Sequence, residues 1–304
     1  MNLPILLIFF NRPDSIFQLI SQVSVVKPKK IYLACDGPRE AVAGEEKLVA
    51  QLRDDVVDLV DWDCEIFTKF ETVNLGCKYN VSSAVYWFFN NVDRGVVLED
   101  DCIPSFNFFG FAERMLDFYQ KDKSVGSITG RNEVADIYTS NDPYLFTRKF
   151  FCWGWASWSD RVLDNNVELG LSCDFPGPVL LSLPWKERLM VKGMIGLIKS
   201  RLVNSWAYPF DLSFRAKSQL CLIPNTNLVR NIGFDTIGAH AKKGAKDLLP
   251  VSDDFEVEPR PDIEVENNEE FMEALIEKRY PNKVGLILFS MARYLAPIKR
   301  ILTR

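Results

Sequence analysis

Over the first hundred residues, short wholly apolar runs alternate with stretches of helical spacing, and few folds accommodate that order. Residues 3–10 make an apolar run; Ile16, Leu19, Ile20 and Val23 then follow at i, i+3, i+4 and i+7 behind Pro13 and Asp14, which mark a helix start. The sequence continues with a strand at 31–35, an amphipathic helix at 45–60 and a strand at 64–68. Val81, Ala84, Val85 and Phe88 then trace another helix face before a buried strand at 96–98. Strands separated by helices need crossover connections, so the pattern predicts an α/β fold with a mainly parallel central sheet and helices on both faces.

Ligands of such sheets bind beyond the carboxyl ends of the strands, which directs attention to the polar residues after each apolar run. Here these are Asn11-Arg12-Pro13, Asp36-Gly37-Pro38-Arg39 and Glu99-Asp100-Asp101, predicted to converge on one rim. Past residue 105 the alternation loosens into an aromatic-rich helix at 108–119, strands at 125–129 and 220–223, and the segment Phe150-Phe151-Cys152-Trp153-Gly154-Trp155-Ala156-Ser157-Trp158.

Composition excludes several classes. A formal net charge of −5 lacks the basic excess of a surface that tracks nucleic-acid phosphates. The apolar amino terminus has neither a preceding basic region nor a small-residue cleavage site, and no apolar run reaches the length of a membrane span. The seven cysteines are scattered, without a C-x-x-C pair, so neither a disulfide framework nor a cysteine zinc site is expected. A reducing, cytoplasmic setting is the expectation.

The triplet Glu99-Asp100-Asp101 carries the most chemistry. Like charges gathered where a buried strand leaves a sheet need a neutralising cation, and oxygen-only ligands suit a hard ion such as Mg²⁺ or Mn²⁺ that also grips a diphosphate. The bland alternative is a solvated acidic turn. His240, the single histidine, is either an ordinary residue or a late ligand to the same ion.

On ordered landmarks, the chain resembles the GT-A-fold glycosyltransferases and is similar to the N-acetylglucosaminyltransferase I-like group and its bacterial relatives. The landmarks are Asn11-Arg12-Pro13, Asp36, Asn74-Leu75-Gly76, the Glu-Asp-Asp variant of a D-x-D motif, the Trp-Gly-Trp segment, Asp211 and His240, so the likeness runs from about residue 3 to 240. It implies Mn²⁺ or Mg²⁺ held by Asp101 and His240, and a nucleotide-sugar donor contacted by Arg12, Asp36, Glu99 and Asp100. Lys78 is either a residue facing the diphosphate or a solvated helix lysine. In the region where similar enzymes carry a general base stands Asp211, with Glu133 as second candidate; a cap role is the alternative for Asp211. Trp153, Gly154 and Trp155 are read as a sugar or acceptor platform, although at least one tryptophan of that run belongs by frequency in the core.

The implied activity is metal-dependent, inverting transfer of a sugar to a glycan or lipid-linked acceptor. A sugar-1-phosphate nucleotidyltransferase is the enzymatic rival, but that class has a Gly-rich loop after its first strand, where this chain has none. A non-catalytic sugar-binding protein of the same fold is the other. The expected organisation is a catalytic domain at 1–245 (nucleotide half 1–101, acceptor half 102–245), a mobile acidic linker and short helix at 246–282, and a basic amphipathic helix at 283–304. From Val284 onward there are four basic residues and no acid. That helix either docks on an anionic membrane as a peripheral element or packs on protein.

Overall fold

The computed structural model describes residues 1–233 and 249–291. Its first half alternates as the spacing predicts: β1 (Ile5–Phe9), α1 (Pro13–Val26), β2 (Lys30–Cys35), α2 (Glu45–Asp58), β3 (Glu65–Phe70), α3 (Gly76–Asn91) and β4 (Arg94–Glu99). Then come β5 (Cys102–Pro104), α4 (Phe106–Phe118), β6 (Val125–Thr129), β7 (Tyr144–Thr147), β8 (Trp155–Trp158), α5 (Ser159–Val162), α6 (Gly177–Ser182) and α7 (Trp185–Lys199). The chain continues through α8 (Ala207–Ala216), β9 (Leu220–Pro224), β10 (Val229–Asn231), α9 (Glu269–Arg279) and α10 (Lys283–Ser290).

Eight strands form one sheet in the order β3-β2-β1-β4-β8-β6-β9-β7, and β10 pairs with β5 beside it. The strands from β3 to β4 in that order are mutually parallel. β8 runs antiparallel between β4 and β6, β9 is parallel to β6, and β7 closes the edge antiparallel. The sheet is thus mainly parallel, as the sequence requires.

Strand alternation decides which residue meets which helix. Ile5, Leu7 and Phe9 of β1, with Ile31, Leu33, Val96 and Leu98, face a core built with α1, α2 and α4. Leu6 and Ile8, with Tyr32, Ala34 and Val97, face the opposite core, built with α3 and α8. Both faces are apolar because both are covered, and the strands therefore read as continuous hydrophobic runs.

The structure departs from the sequence reading after residue 248. Residues 249–268, expected as part of a mobile linker, are fastened to the body. Phe255 packs edge-on against Phe111, Arg114 Nε donates to Val257 O at 3.0 Å, and the Arg260 amide donates to the Tyr144 hydroxyl at 2.8 Å. The acidic composition sits on the outward side, while the segment's few apolar residues pack inward against the main core. It leads into α9, whose Phe271, Met272, Leu275 and Ile276 are buried in a third core together with α7 and part of α10. No helix among the described residues is long and apolar enough to cross a membrane.

Candidate active site

Because β1, β2 and β4 run the same way, their ends deliver polar residues to one rim. Glu99 ends β4, and Asp100 and Asp101 follow in the turn before β5. The Asp100 amide donates to Ile8 O at 2.9 Å, which ties the turn to β1. Arg12, just past β1, lies across the triplet: it ion-pairs with Asp100 Oδ1, and its Nη1 is 3.3 Å from Asp101 Oδ2.

One guanidinium facing three carboxylates leaves a shortfall of positive charge. Burial first, and then Asp101 and Asp100, push Glu99 up to about 8, against the pull of Arg12 and a hydrogen bond from Trp206. Burial likewise lifts Asp100 to about 7 despite Arg12. Asp100 Oδ2 is buried with no partner among the described residues. Asp101 is the more open acid, its side chain 21% exposed against 3% for Asp100. Its bonds are long: 3.3 Å from Asn231 Nδ2 and 3.4 Å from the Cys102 thiol, both to Oδ1. Any side chain at Gly233 would collide with the Asp101 carboxylate, so the chain passes directly over this acid on its way to the segment that carries His240. His240 itself lies outside the described residues.

Among the described residues no group of three His, Cys, Asp or Glu side chains is gathered in a metal-binding arrangement. The chemistry of the donor set nevertheless fits a hard cation. An orphaned carboxylate oxygen, two carboxyls pushed up by burial and then by their acidic neighbours, and a third that is loosely held all call for positive charge. Asp101, through its exposure and long bonds, is the acid of the three free to supply a ligand.

Two cavities flank the triplet along the rim. One, of about 780 Å³, is walled by the loop 38–46 and by Thr72, Val73 and Asn74, past the ends of β2 and β3. That loop is braced by Glu45, whose carboxylate accepts from Asn11 Nδ2 at 2.8 Å and from the Arg39 amide at 2.7 Å and ion-pairs with the Arg39 guanidinium. The other cavity, of about 690 Å³, includes Arg131, Glu133, Lys149, Trp153, Tyr208, Lys278 and Arg279 in its lining. Sheet order explains this placement. β8 is antiparallel to β4 with Val97 opposite Trp155, so the residues before β8 return to the edge where Glu99 lies. The Gly130 amide donates to Gly154 O at 2.9 Å, bringing the end of β6 alongside.

The remaining site candidates divide. Asp36 is at the rim but saturated: its carboxylate accepts the amides of Gly37, Leu75 and Gly76 at 2.8–2.9 Å and Asn74 Nδ2 at 3.1 Å. It closes the amino end of α3, and its contribution is to shape the first cavity. Lys78 is buried and ion-pairs with Glu168 Oε1 at 2.8 Å, so its charge is spent there. On the same helix Cys77 is exposed and turned to the site, its thiol lying near Glu99, Asp101 and Asp36.

The aromatic platform reduces to one ring. Trp155 is fully buried, edge-on to Phe150 at 5.2 Å and stacked on Trp206 at 6.2 Å, because as a β8 residue it alternates into the core under α8. Gly154, at φ +64°, lies against Val229, where a side chain would not fit. Only Trp153 reaches the cavity, with the Arg131 guanidinium 5.0 Å from its ring centre.

Asp211, expected as the base, is 0% exposed on α8. Oδ1 accepts from Lys149 Nζ at 3.1 Å and the Phe150 amide at 2.7 Å, and Oδ2 accepts from Arg215 Nε at 2.9 Å. An acceptor hydroxyl would have to displace this whole network to reach it. Glu133 does line the cavity, its side chain 21% exposed and bound bidentately by Arg279. Burial alone would raise its pKa, but Arg279 holds it below the usual range, so it stays a carboxylate.

Sequence reasoning missed Lys278 and Arg279, which enter the cavity from α9, beyond the acidic stretch. No local pattern marks them, since their place depends on α9 folding back over the body. Arg131 stood beside Glu133 in Gly130-Arg131-Asn132-Glu133 and could have been picked out with it.

No protein-family model and no curated protein sequence matches the chain. Among solved structures it is similar to HddC from Yersinia pseudotuberculosis, at 9% identity and a TM-score of 0.36, covering 53% of this chain and 79% of that one. It is also similar to a UDP-glucose pyrophosphorylase complexed with UDP-glucose, at 8% identity and a TM-score of 0.36, covering 74% of this chain and 90% of that one. Likenesses of this size carry no argument about activity.

Proposed function

We propose that the chain is a metal-dependent glycosyltransferase that takes a nucleotide-diphosphate sugar and transfers the sugar to an acceptor hydroxyl. The observation that carries the proposal is the row along the rim: a cavity past β2 and β3, then Arg12 and the undercompensated acids Glu99, Asp100 and Asp101, then a cavity rimmed by cations and Trp153. A nucleoside fits the first cavity, a diphosphate the middle, and a sugar with its acceptor the second. Bound Mn²⁺ or Mg²⁺, held by Asp101 with His240, would supply charge neutralisation for the diphosphate leaving group.

In this reading Arg12 positions the triplet and the diphosphate, and Trp153 stacks on a sugar face. Glu133 takes the proton of the acceptor hydroxyl as its oxygen bonds to the anomeric carbon, while the bond from that carbon to the diphosphate breaks on the opposite face. The absence of a glycine-rich loop after β1 weighs against the nucleotidyltransferase alternative.

A panel of nucleotide sugars incubated with the full chain and Mn²⁺ tests the proposal. Slow, chelator-sensitive release of nucleoside diphosphate from one donor is expected. Release of a nucleoside monophosphate, or formation of a nucleotide sugar from nucleoside triphosphate and sugar-1-phosphate, would replace it with the nucleotidyltransferase reading.

A further inference from the structure

Of the described residues that line the second cavity, Arg131, Lys149, Lys278 and Arg279 are basic and only Glu133 is acidic. Lys149 is the cation built into the interior. It is 5% exposed, yet it forms part of the cavity wall. Its ammonium carries three donors, and Nζ donates to Asp211 Oδ1 at 3.1 Å and to no other atom among the described residues. Arg279 faces the same space from α9, its side chain 30% exposed. It spends Nε and Nη2 on Glu133, and its Nη1 makes no hydrogen bond among the described residues. Lys278 is committed to Glu133 O and to Asp136.

The acids behind this wall do not balance it. Asp211 is shared: Oδ1 also accepts the Phe150 amide, and Oδ2 is taken by Arg215. Arg215 and Arg148 both pair with Glu187, so Lys149, Arg215 and Arg148 divide two buried acids, Asp211 and Glu187. Glu269 meets Arg148 at the outer end of this chain of charges, with its side chain 60% exposed. Arg215 Nη2 is left buried with no partner among the described residues. Burial lowers the Lys149 pKa against the pull of Asp211, and Arg279 and Arg215 add to the fall. A buried ammonium with donors to spare, beside a second cation, is stabilised by an anion brought from outside.

We propose that the acceptor is an acidic sugar, whose carboxylate or phosphate group is bound by Lys149 and Arg279 while Trp153 covers a ring face. The proposal rests on the reading of this cavity as the acceptor end. Glu133, the base for the acceptor hydroxyl, is the residue that Arg279 holds, so these cations stand around the acceptor. A carboxylate or phosphate brings the lone pairs that Lys149 and Arg279 lack, in charge-assisted hydrogen bonds.

Calorimetric titration of the full, metal-free chain without donor compares glucuronate with glucose, galacturonate with galactose, and mannose 6-phosphate with mannose. At least one acid should bind about tenfold or more tightly than its neutral parent, and the preference should weaken with salt. K149M and R279Q should each remove that preference, with circular dichroism as the check on their fold; if K149M does not fold, R279Q decides. No binding, equal binding within every pair, or a preference that folded K149M or R279Q retains overturns the proposal. Because neither donor nor metal is present, the result stands apart from the glycosyltransferase reading: a chain that prefers acids but turns over no donor fails that reading alone. Where a donor turns over, K149M should raise acceptor KM and leave donor KM unchanged. A raised donor KM would put the charge on the donor sugar and overturn the acceptor assignment.

Discussion

Two groups of acids in this molecule behave in opposite ways. At the rim, Glu99, Asp100 and Asp101 share Arg12, and burial and crowding push two of them up to about 8 and about 7. On α8 and α7, Asp211 and Glu187 are fully buried, yet both are held below their usual range, because Arg215 bridges them and Lys149 and Arg148 complete the set. Burial acts in the same direction on both groups, so the difference lies in the cations. An acid cluster built for folding is neutralised by its own protein; one left short of positive charge is waiting for charge from outside.

The sharpest way to break the comparison is Asp101→Ala. If the rim is functional, donor turnover falls to background and added Mn²⁺ does not restore it, while the thermal midpoint stays within a few degrees of the parent. A collapse of stability with this substitution would place the triplet in the structural class instead.

Asp211→Ala should do the reverse. Removing one partner from a buried ion network leaves Arg215 and Lys149 uncompensated and costs about 3–5 kcal/mol, read by urea denaturation. Residual turnover should track the folded fraction. Full stability with lost turnover would return Asp211 to the catalytic role the sequence suggested.

Glu133→Gln sharpens the assignment of the base. Turnover at saturating donor should fall by about 10² to 10⁴-fold, a range typical of general-base loss, with donor KM nearly unchanged. Because Glu133 also holds Arg279, the parallel variant Arg279→Gln separates the roles. It should change acceptor KM more than kcat.

The smallest effect concerns Glu45 at the first cavity. Its pKa is lowered to about 2, mainly by the hydrogen bond from Arg39, so it is ionised in the folded protein where the unfolded chain already protonates. Its contribution is fully present above about 4.5, the ordinary glutamate value, and disappears as pH falls towards 2. The stability gap between parent and Glu45→Gln should be constant near neutrality and close over that acid range. A gap that widens on acidification would contradict the assignment.

Most of the fold was legible because its signals are local. The continuous apolar runs and period-3.6 patterns up to residue 99 correspond to β1 through β4 with the helices between them, and strand ends name a rim in any parallel sheet. Arg12 and the triplet were found that way. Position relative to that rim was not local information. Nothing in Trp153-Gly154-Trp155 says which indole alternates inward; pairing of Val97 with Trp155 decides it. Asp211 looked like a base from its neighbourhood in sequence, and the approach of Lys149 and the Phe150 amide, from sixty-two and sixty-one residues away, completes the enclosure that Arg215 begins one helical turn along.

The sequence by itself thus determined the α/β class, the order of elements up to residue 99 and the acids at the end of β4, since backbone periodicity and strand polarity act over a few residues. Tertiary structure alone decided which charges are satisfied. Lys149 reaches Asp211 and Arg148 and Arg215 reach Glu187 from other elements, and α9 folds back to set Arg279 against Glu133. Compensation of a buried charge depends on what lies within a few ångströms in space, and spacing along the chain does not encode that.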